Sequence, residues 1–236
     1  MSEWKQKRFW SDVTVSESDA GFQVLLDGRK VKTPAKSELC VPTQRLAQAI
    51  AKEWTAQQEV VDPTTMPFTR SANAAIDKVT VQFEEVAAML GEYATTDLLC
   101  YRADSPAELA ERQAKAWDPM LDWVAETYNA RLMPAAGVMF RAQDENSLKK
   151  LQNEAIQFTA FELTGFHDLV TICGSYILAL AVSTGKLNPD EAWEMSQIDE
   201  RWQEEQWGED EDATEHSRLR RASFHHAADF LEYCSK

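Results

Sequence analysis

Apolar and polar residues alternate at short range over the first forty positions and recur every three to four residues after that. Residues 8–15 alternate loosely, and residues 22–26 run into Asp27-Gly28, a pair suited to a two-residue hairpin turn. Residues 29–33 supply the return strand and 37–41 another short one. Pro34 and Pro42 bound them, as suits edge strands, because proline has no N–H to give a ladder. The period then changes. Thr43 can N-cap a helix in which Leu46, Ile50 and Trp54 recur at four-residue spacing. Asp62-Pro63 and Met66-Pro67 force an extended connector next, since a residue before proline avoids the helical region.

Helical patterning dominates from Thr69 onward. Ser105-Pro106 with Glu108 reads as a cap, a first-turn proline and a capping-box acid. Asp118-Pro119 repeats the signal inside a long helical pattern and predicts two helices meeting at an angle. Gly165 and Gly185 bracket an apolar helix over 167–182. Asn188-Pro189 with Glu191 opens another helix, which Gly208 closes, and Asp212 with Glu215 opens a last one running to Tyr233. The pattern predicts an α+β chain: a small N-terminal antiparallel sheet domain with a helix over 1–95, then an all-α bundle over 96–236.

With 236 residues, 44% of them hydrophobic and 27% charged, the chain can bury a full core. Its 24 Lys and Arg face 39 Asp and Glu, a net charge of −15. Such a surface repels phosphate backbones and anionic lipid, so no nucleic acid and no membrane insertion are expected; it is compatible with a basic protein patch, and solubility alone also accounts for it. The longest mostly apolar run, 169–182, is too short to span a bilayer. Cys40, Cys100, Cys173 and Cys234 are widely spaced and read as reduced thiols. No phosphate loop, dinucleotide fingerprint, nucleophile elbow or His-Glu-x-x-His motif occurs. Asp212 or Glu215 with His216 lacks the further ligands a metal needs. No cofactor and no metal are expected.

One segment carries a candidate binding chemistry. Residues 199–215 hold nine acids (Asp199, Glu200, Glu204, Glu205, Glu209, Asp210, Glu211, Asp212 and Glu215) against the single base Arg201. On one continuous helix from Pro189 to Trp207, Met195, Ile198 and Trp202 form the core stripe. Trp193 and Trp207, seven residues either side of Glu200, would each lie within about 20° of it. A carboxylate between two indoles fits an interface for a basic partner. The other reading packs both tryptophans under neighbouring helices and leaves the acids facing solvent. Glu53-Trp54 closes the stripe of the first helix, where Trp54 anchors it on the sheet.

Read in order, several short motifs resemble one family. They are Arg8-Phe9-Trp10, Leu26-Asp27-Gly28-Arg29, Lys32-Thr33-Pro34, Ala51-Lys52-Glu53-Trp54 with Gln57-Gln58, and Met66-Pro67-Phe68-Thr69. Thr96-Asp97-Leu98-Leu99-Cys100-Tyr101, Gln113, Trp117-Asp118-Pro119 and Trp207-Gly208-Glu209 follow. The series resembles the assembly chaperones that bind the free alpha subunit of the F-type ATP synthase head. The resemblance implies a non-enzymatic protein, monomeric when free, that shields an unassembled alpha subunit until a beta subunit replaces it. Aligned through Trp207-Gly208, the family's essential glutamate falls on Glu200, with Asp199 as the neighbouring possibility. With Trp193, Trp207 and Glu204 these form the expected partner-binding set. The tryptophan of Glu53-Trp54 carries over as a residue whose loss damages the fold. Residues 210–212 are more acidic than the family pattern. The polar N-terminus implies a bacterial cytoplasmic protein or a mature one of the mitochondrial matrix. Two alternatives stay open: an acidic scaffold for another basic protein, and an acid/base enzyme using Glu200 and Glu204.

Overall fold

The computed structural model describes residues 7–137, 139–208 and 210–235. Glu209 of the acidic run and the first six residues of the polar N-terminus lie outside them. The chain forms two compact units. One gathers the residues up to Phe83 with Thr159–Gly165 and the stretch from Asp229; the other holds Glu84–Phe158 and Phe166–Ala228.

In the first unit, β1 (Val13–Ser18) and β2 (Gly21–Leu26) pair antiparallel with Val15 opposite Val24. Asp27 and Gly28 both take positive φ, 47° and 76°, as a tight hairpin turn requires. The return strand is shorter than its sequence pattern. Only β3 (Arg29–Lys30) pairs with β2, because the next residues turn back at Pro34 and bridge Lys32 to Glu38. β4 (Cys40–Val41) pairs with the other end of the same edge of β2. Helix α1 (Gln44–Ala56) begins where the Thr43 hydroxyl accepts from the Leu46 N–H. Leu46 and Ile50 on its inner stripe are fully buried against Val24, Leu26 and Val41 of the sheet. Trp10, Phe230 and Cys234 complete this core. A 3₁₀ turn at Pro63–Thr65 leads into α2 (Pro67–Ala74), which runs on as one π-helical turn, Ala75–Val79. There Asp77 accepts from the Thr33 hydroxyl and the Ala35 N–H, holding the turn beyond β3.

Among the described residues the second unit is built of helices with one short strand pair. After α3 (Phe83–Tyr93) and two 3₁₀ turns, β5 (Tyr101–Arg102) leads to α4 (Ala107–Thr127). β6 (Ala135–Ala136) pairs parallel with β5. Then come α5 (Glu145–Ile156), α6 (Ala160–Cys173), α7 (Tyr176–Ser183), α8 (Pro189–Ser196), α9 (Ile198–Trp207) and α10 (Glu211–Cys234). α4 packs on α7 and α9, and α8 packs on both α7 and α9.

Several expected helix boundaries fall elsewhere. α4 runs unbroken through Pro119. An interior proline costs about 3 kcal/mol, but Trp117, Met120, Leu121 and Val124 are buried on both sides of it and hold the turn helical. Gly165 lies inside α6, and the apolar stretch instead breaks at Gly174, whose φ of 73° reverses the chain ahead of the cap Ser175. That break is locked by Asp97, fully buried, which accepts from the Ser175 hydroxyl and from the N–H groups of Leu99 and Ile177. Finally, the segment from Pro189 to Trp207 is two helices rather than one. The last helix, α10, starts on Asp210, whose carboxylate accepts from the Ala213 N–H. No side chain from Glu211 to Ser223 is buried; the first is Phe224.

Candidate protein-binding face

The acidic segment begins at a well-made helix start. Asn188 and Glu191 exchange side-chain hydrogen bonds with each other's backbone N–H at the head of α8. The helix then stops at Gln197 (φ −108°, ψ 16°). Ser196 and Gln197 are both buried, and their side chains bond locally: Ser196 donates to the Trp193 carbonyl at 2.7 Å, and Gln197 donates to the Ser196 hydroxyl at 3.1 Å.

This interruption changes the rotational phase between Trp193 and Glu200, so the two do not share a face. Trp193 is only 2% exposed, its ring 5.8 Å from that of Phe224 and with the Arg220 guanidinium 5.7 Å from its centre. The expectation that Trp193 belongs to the binding set is therefore corrected: it is a core residue. Trp207, at the other end of α9, is 80% exposed.

Between them α9 displays a graded set of acids. Asp199 is half-buried and accepts from Gln113 Nε2 at 2.6 Å. Gln113 is itself buried, with its Oε1 accepting from the Ala103 N–H at 2.8 Å. Glu205 receives two hydrogen bonds from Arg112, at 2.7 and 2.9 Å, and the same guanidinium lies 5.0 Å from the Trp202 ring. That fork holds the Glu205 carboxyl below the usual range. Arg201 pairs back with Glu194. Glu204 is half-buried, and Glu200 is exposed.

Partial desolvation by the surrounding protein pushes the Glu200 carboxyl above its ordinary pKa. Arg220 opposes that rise, while Asp199 and Glu204 add to it. The arrangement is a rigid helix with its flanking carboxylates fixed by α4, and with Glu200 and Trp207 turned to water. Arg112, which steadies this face, left no signal in the sequence. Gln113 stood among the family motifs but without an assigned task.

Glu53 and Trp54 serve the first unit from inside. The Glu53 carboxylate accepts from the Phe68 N–H at 2.6 Å and from the N–H and hydroxyl of Thr69 at 2.8 and 2.7 Å, capping α2 from α1. Burial raises its pKa and these hydrogen bonds pull it back. Trp54 packs edge-on to Trp10 with ring centres 5.1 Å apart.

Among the described residues no group of three His, Cys, Asp or Glu is placed to hold a metal ion, and no helix is long and apolar enough to cross a membrane. Burial lifts the thiols of Cys100 and Cys173 to about 12, which leaves them un-ionised and poor nucleophiles near neutral pH.

The sequence pattern of the family described as ATP12 chaperone protein matches residues 7–125. The chain belongs to the ATP12 chaperone family. This is the F-type ATP synthase assembly-chaperone family that the motifs resemble. The crystal structure of Atp12 from Paracoccus denitrificans superposes with a TM-score of 0.95 at 48% identity, covering 99% of this chain and all of that one. A crystal structure of a protein from Agrobacterium tumefaciens gives a TM-score of 0.92 at 40% identity, covering 97% of this chain and 86% of the other. The mitochondrial protein atp12 of Schizosaccharomyces pombe is 26% identical over 221 residues, covering 89% of this chain and 76% of that protein. The α+β architecture is thus that of solved ATP12-family structures.

Proposed function

We propose that this ATP12-family chaperone holds the unassembled alpha subunit of the F-type ATP synthase head through the exposed face of α9, as a non-enzymatic partner. The observation that carries the reading is that Glu200 and Trp207 are both open to solvent on α9, while Asp199 and Glu205 of the same helix are tied down by Gln113 and Arg112 of α4. Glu200 supplies a charge for a basic group on the client, and Trp207 supplies contact area beside it. Release needs no chemistry. A beta subunit displaces the chaperone because the native interface is larger and more apolar than the temporary one. The chaperone works as a free monomer in the bacterial cytoplasm or the mitochondrial matrix.

The test is refolding of purified alpha subunit with and without the protein, followed by light scattering and size exclusion. A soluble one-to-one complex is expected. Glu200→Gln should weaken it about tenfold or more, the loss of one charge-assisted contact. Thermal stability should move by less than about 0.5 kcal/mol, as at other exposed positions. Failure of the wild-type protein to capture or protect alpha subunit would overturn the reading. Full capture by a Glu200→Gln variant would remove Glu200 from it.

A further inference from the structure

The segment between α4 and α5 is braced at its base and apolar at its tip. Ala130 and Leu132 are buried at one end. At the other, Asp144 caps α5 by accepting from the Ser147 N–H. Gln143 clamps the two ends together, its Oε1 accepting from the Met133 N–H at 2.7 Å and its Nε2 donating to the Met133 carbonyl at 3.0 Å. Arg141 donates to the Pro134 carbonyl at 3.0 Å. β6 is zipped to β5, and the Gly137 N–H donates to the Arg102 carbonyl at 2.8 Å. Beyond this brace Met139 is 78% exposed and Phe140 65%, with Met133 at 41% on the base. Single exposed apolar side chains are ordinary on a protein surface. Two in succession on a stapled loop, in a chain of net charge −15, are not what solubility favours.

The loop is also joined to the acidic helix. Gly137 bonds Arg102; the next residue, Ala103, donates to Gln113; and Gln113 donates to Asp199 at the head of α9. A few hydrogen-bonded residues therefore separate the foot of the loop from the foot of the binding helix. We propose that Met139 and Phe140 form an apolar finger that enters a groove on the same client that α9 holds by charge. This inference rests on the functional reading above. The occupant is a protein surface with an apolar groove edged by basic groups. The acids of α9, joined to the foot of the loop through Ala103 and Gln113, call for basic groups on the client, and the flexible Met139 beside the flat Phe140 suits a groove that assembly later covers with a different partner. A second copy of this chain would bring a further net −15 against the first, and an anionic membrane would be repelled in the same way.

The deciding experiment compares wild type, the double variant Met139→Ser with Phe140→Ser, and Glu200→Gln in titrations of refolding alpha subunit at two salt concentrations. A photo-crosslinking residue at position 140 serves as a second readout. The double variant should keep the wild-type melting temperature and lose about tenfold or more in affinity, with its remaining binding more salt-sensitive than that of wild type. Crosslinks from position 140 should reach the client. Should wild type fail to bind the client at all, the functional reading itself falls. Should wild type bind and the double variant bind equally well, with no crosslink from position 140, the finger falls and the α9 reading stands. Crosslinks found only between copies of the chain, or only to vesicles of anionic lipid, would overturn the proposed occupant.

Discussion

Trp193 and Trp207 lie fourteen residues apart in sequence and have opposite relations to solvent, so a substitution at each reads a different property. Trp193→Ala empties a space against Phe224 and should cost about 3–5 kcal/mol in urea unfolding. Trp207→Ala removes a ring that touches water over most of its surface. It should leave unfolding within about 0.5 kcal/mol of wild type while weakening client capture. The same stability loss at both positions would show that Trp207 is a packing residue and would move the binding face off the end of α9. At this scale the sequence could be read only as far as its helices were continuous. A helical wheel places Glu200 and Trp207 correctly because both lie within α9. It misplaces Trp193 because Gln197 leaves the helical region, and one such residue resets the phase of everything before it. Composition at 196–198 gives no warning of this, since the break depends on Ser196 and Gln197 being buried and bonding to their own neighbours.

Elements in this fold are joined by carboxylates reaching across sequence, and the fully buried Asp97 is the clearest. It accepts from Ser175 and Ile177 at the break between α6 and α7 and from Leu99 in its own turn, yet its complete burial lifts its pKa from 3.8 to about 6. A carboxyl whose folded pKa is raised binds its proton more tightly in the folded state. Its contribution to stability is therefore fully present below about pH 4 and is lost as the pH rises through about 6. In wild type this site should contribute a downward slope of up to about 3 kcal/mol between those limits. The slope should be absent from Asp97→Asn when unfolding free energies are measured across that range. An identical slope in both proteins would assign the titration to another group. Glu53 does comparable work for α2 from within α1. Local signals did foretell many of the elements: the Asp27-Gly28 turn, the Thr43 cap and the Asn188–Glu191 box each act within four residues. Pro119 inside α4 and the break at Gly174 were not legible, because burial of Trp117 and Met120 in one case and of Asp97 in the other decides them from outside the segment.

Over the whole molecule, 24 basic against 39 acidic residues create a field that acts before any contact forms. Association with a basic client should be steered by it. The on-rate, measured by stopped flow, should fall about tenfold between low salt and about 0.5 M salt, while the dissociation rate changes much less. An on-rate indifferent to salt would mean that the charge serves solubility alone. At this scale, too, the family motifs carried more than pattern did. Strand and helix periods cannot show that 159–165 and the stretch from Asp229 join the N-terminal unit, since such returns depend on contacts far apart in sequence. The first turns of α10 have a consequence of another kind. With no side chain fully buried between Glu211 and Ser223, that stretch is held mainly by helix propensity and charge, with Arg220, set over the Trp193 ring and donating to the Ile172 carbonyl, tying it to the rest of the unit. Most of its exposed acids can be replaced one at a time with little cost to folding. The reach of the molecule's charge field can thus be altered separately from the structure that presents it.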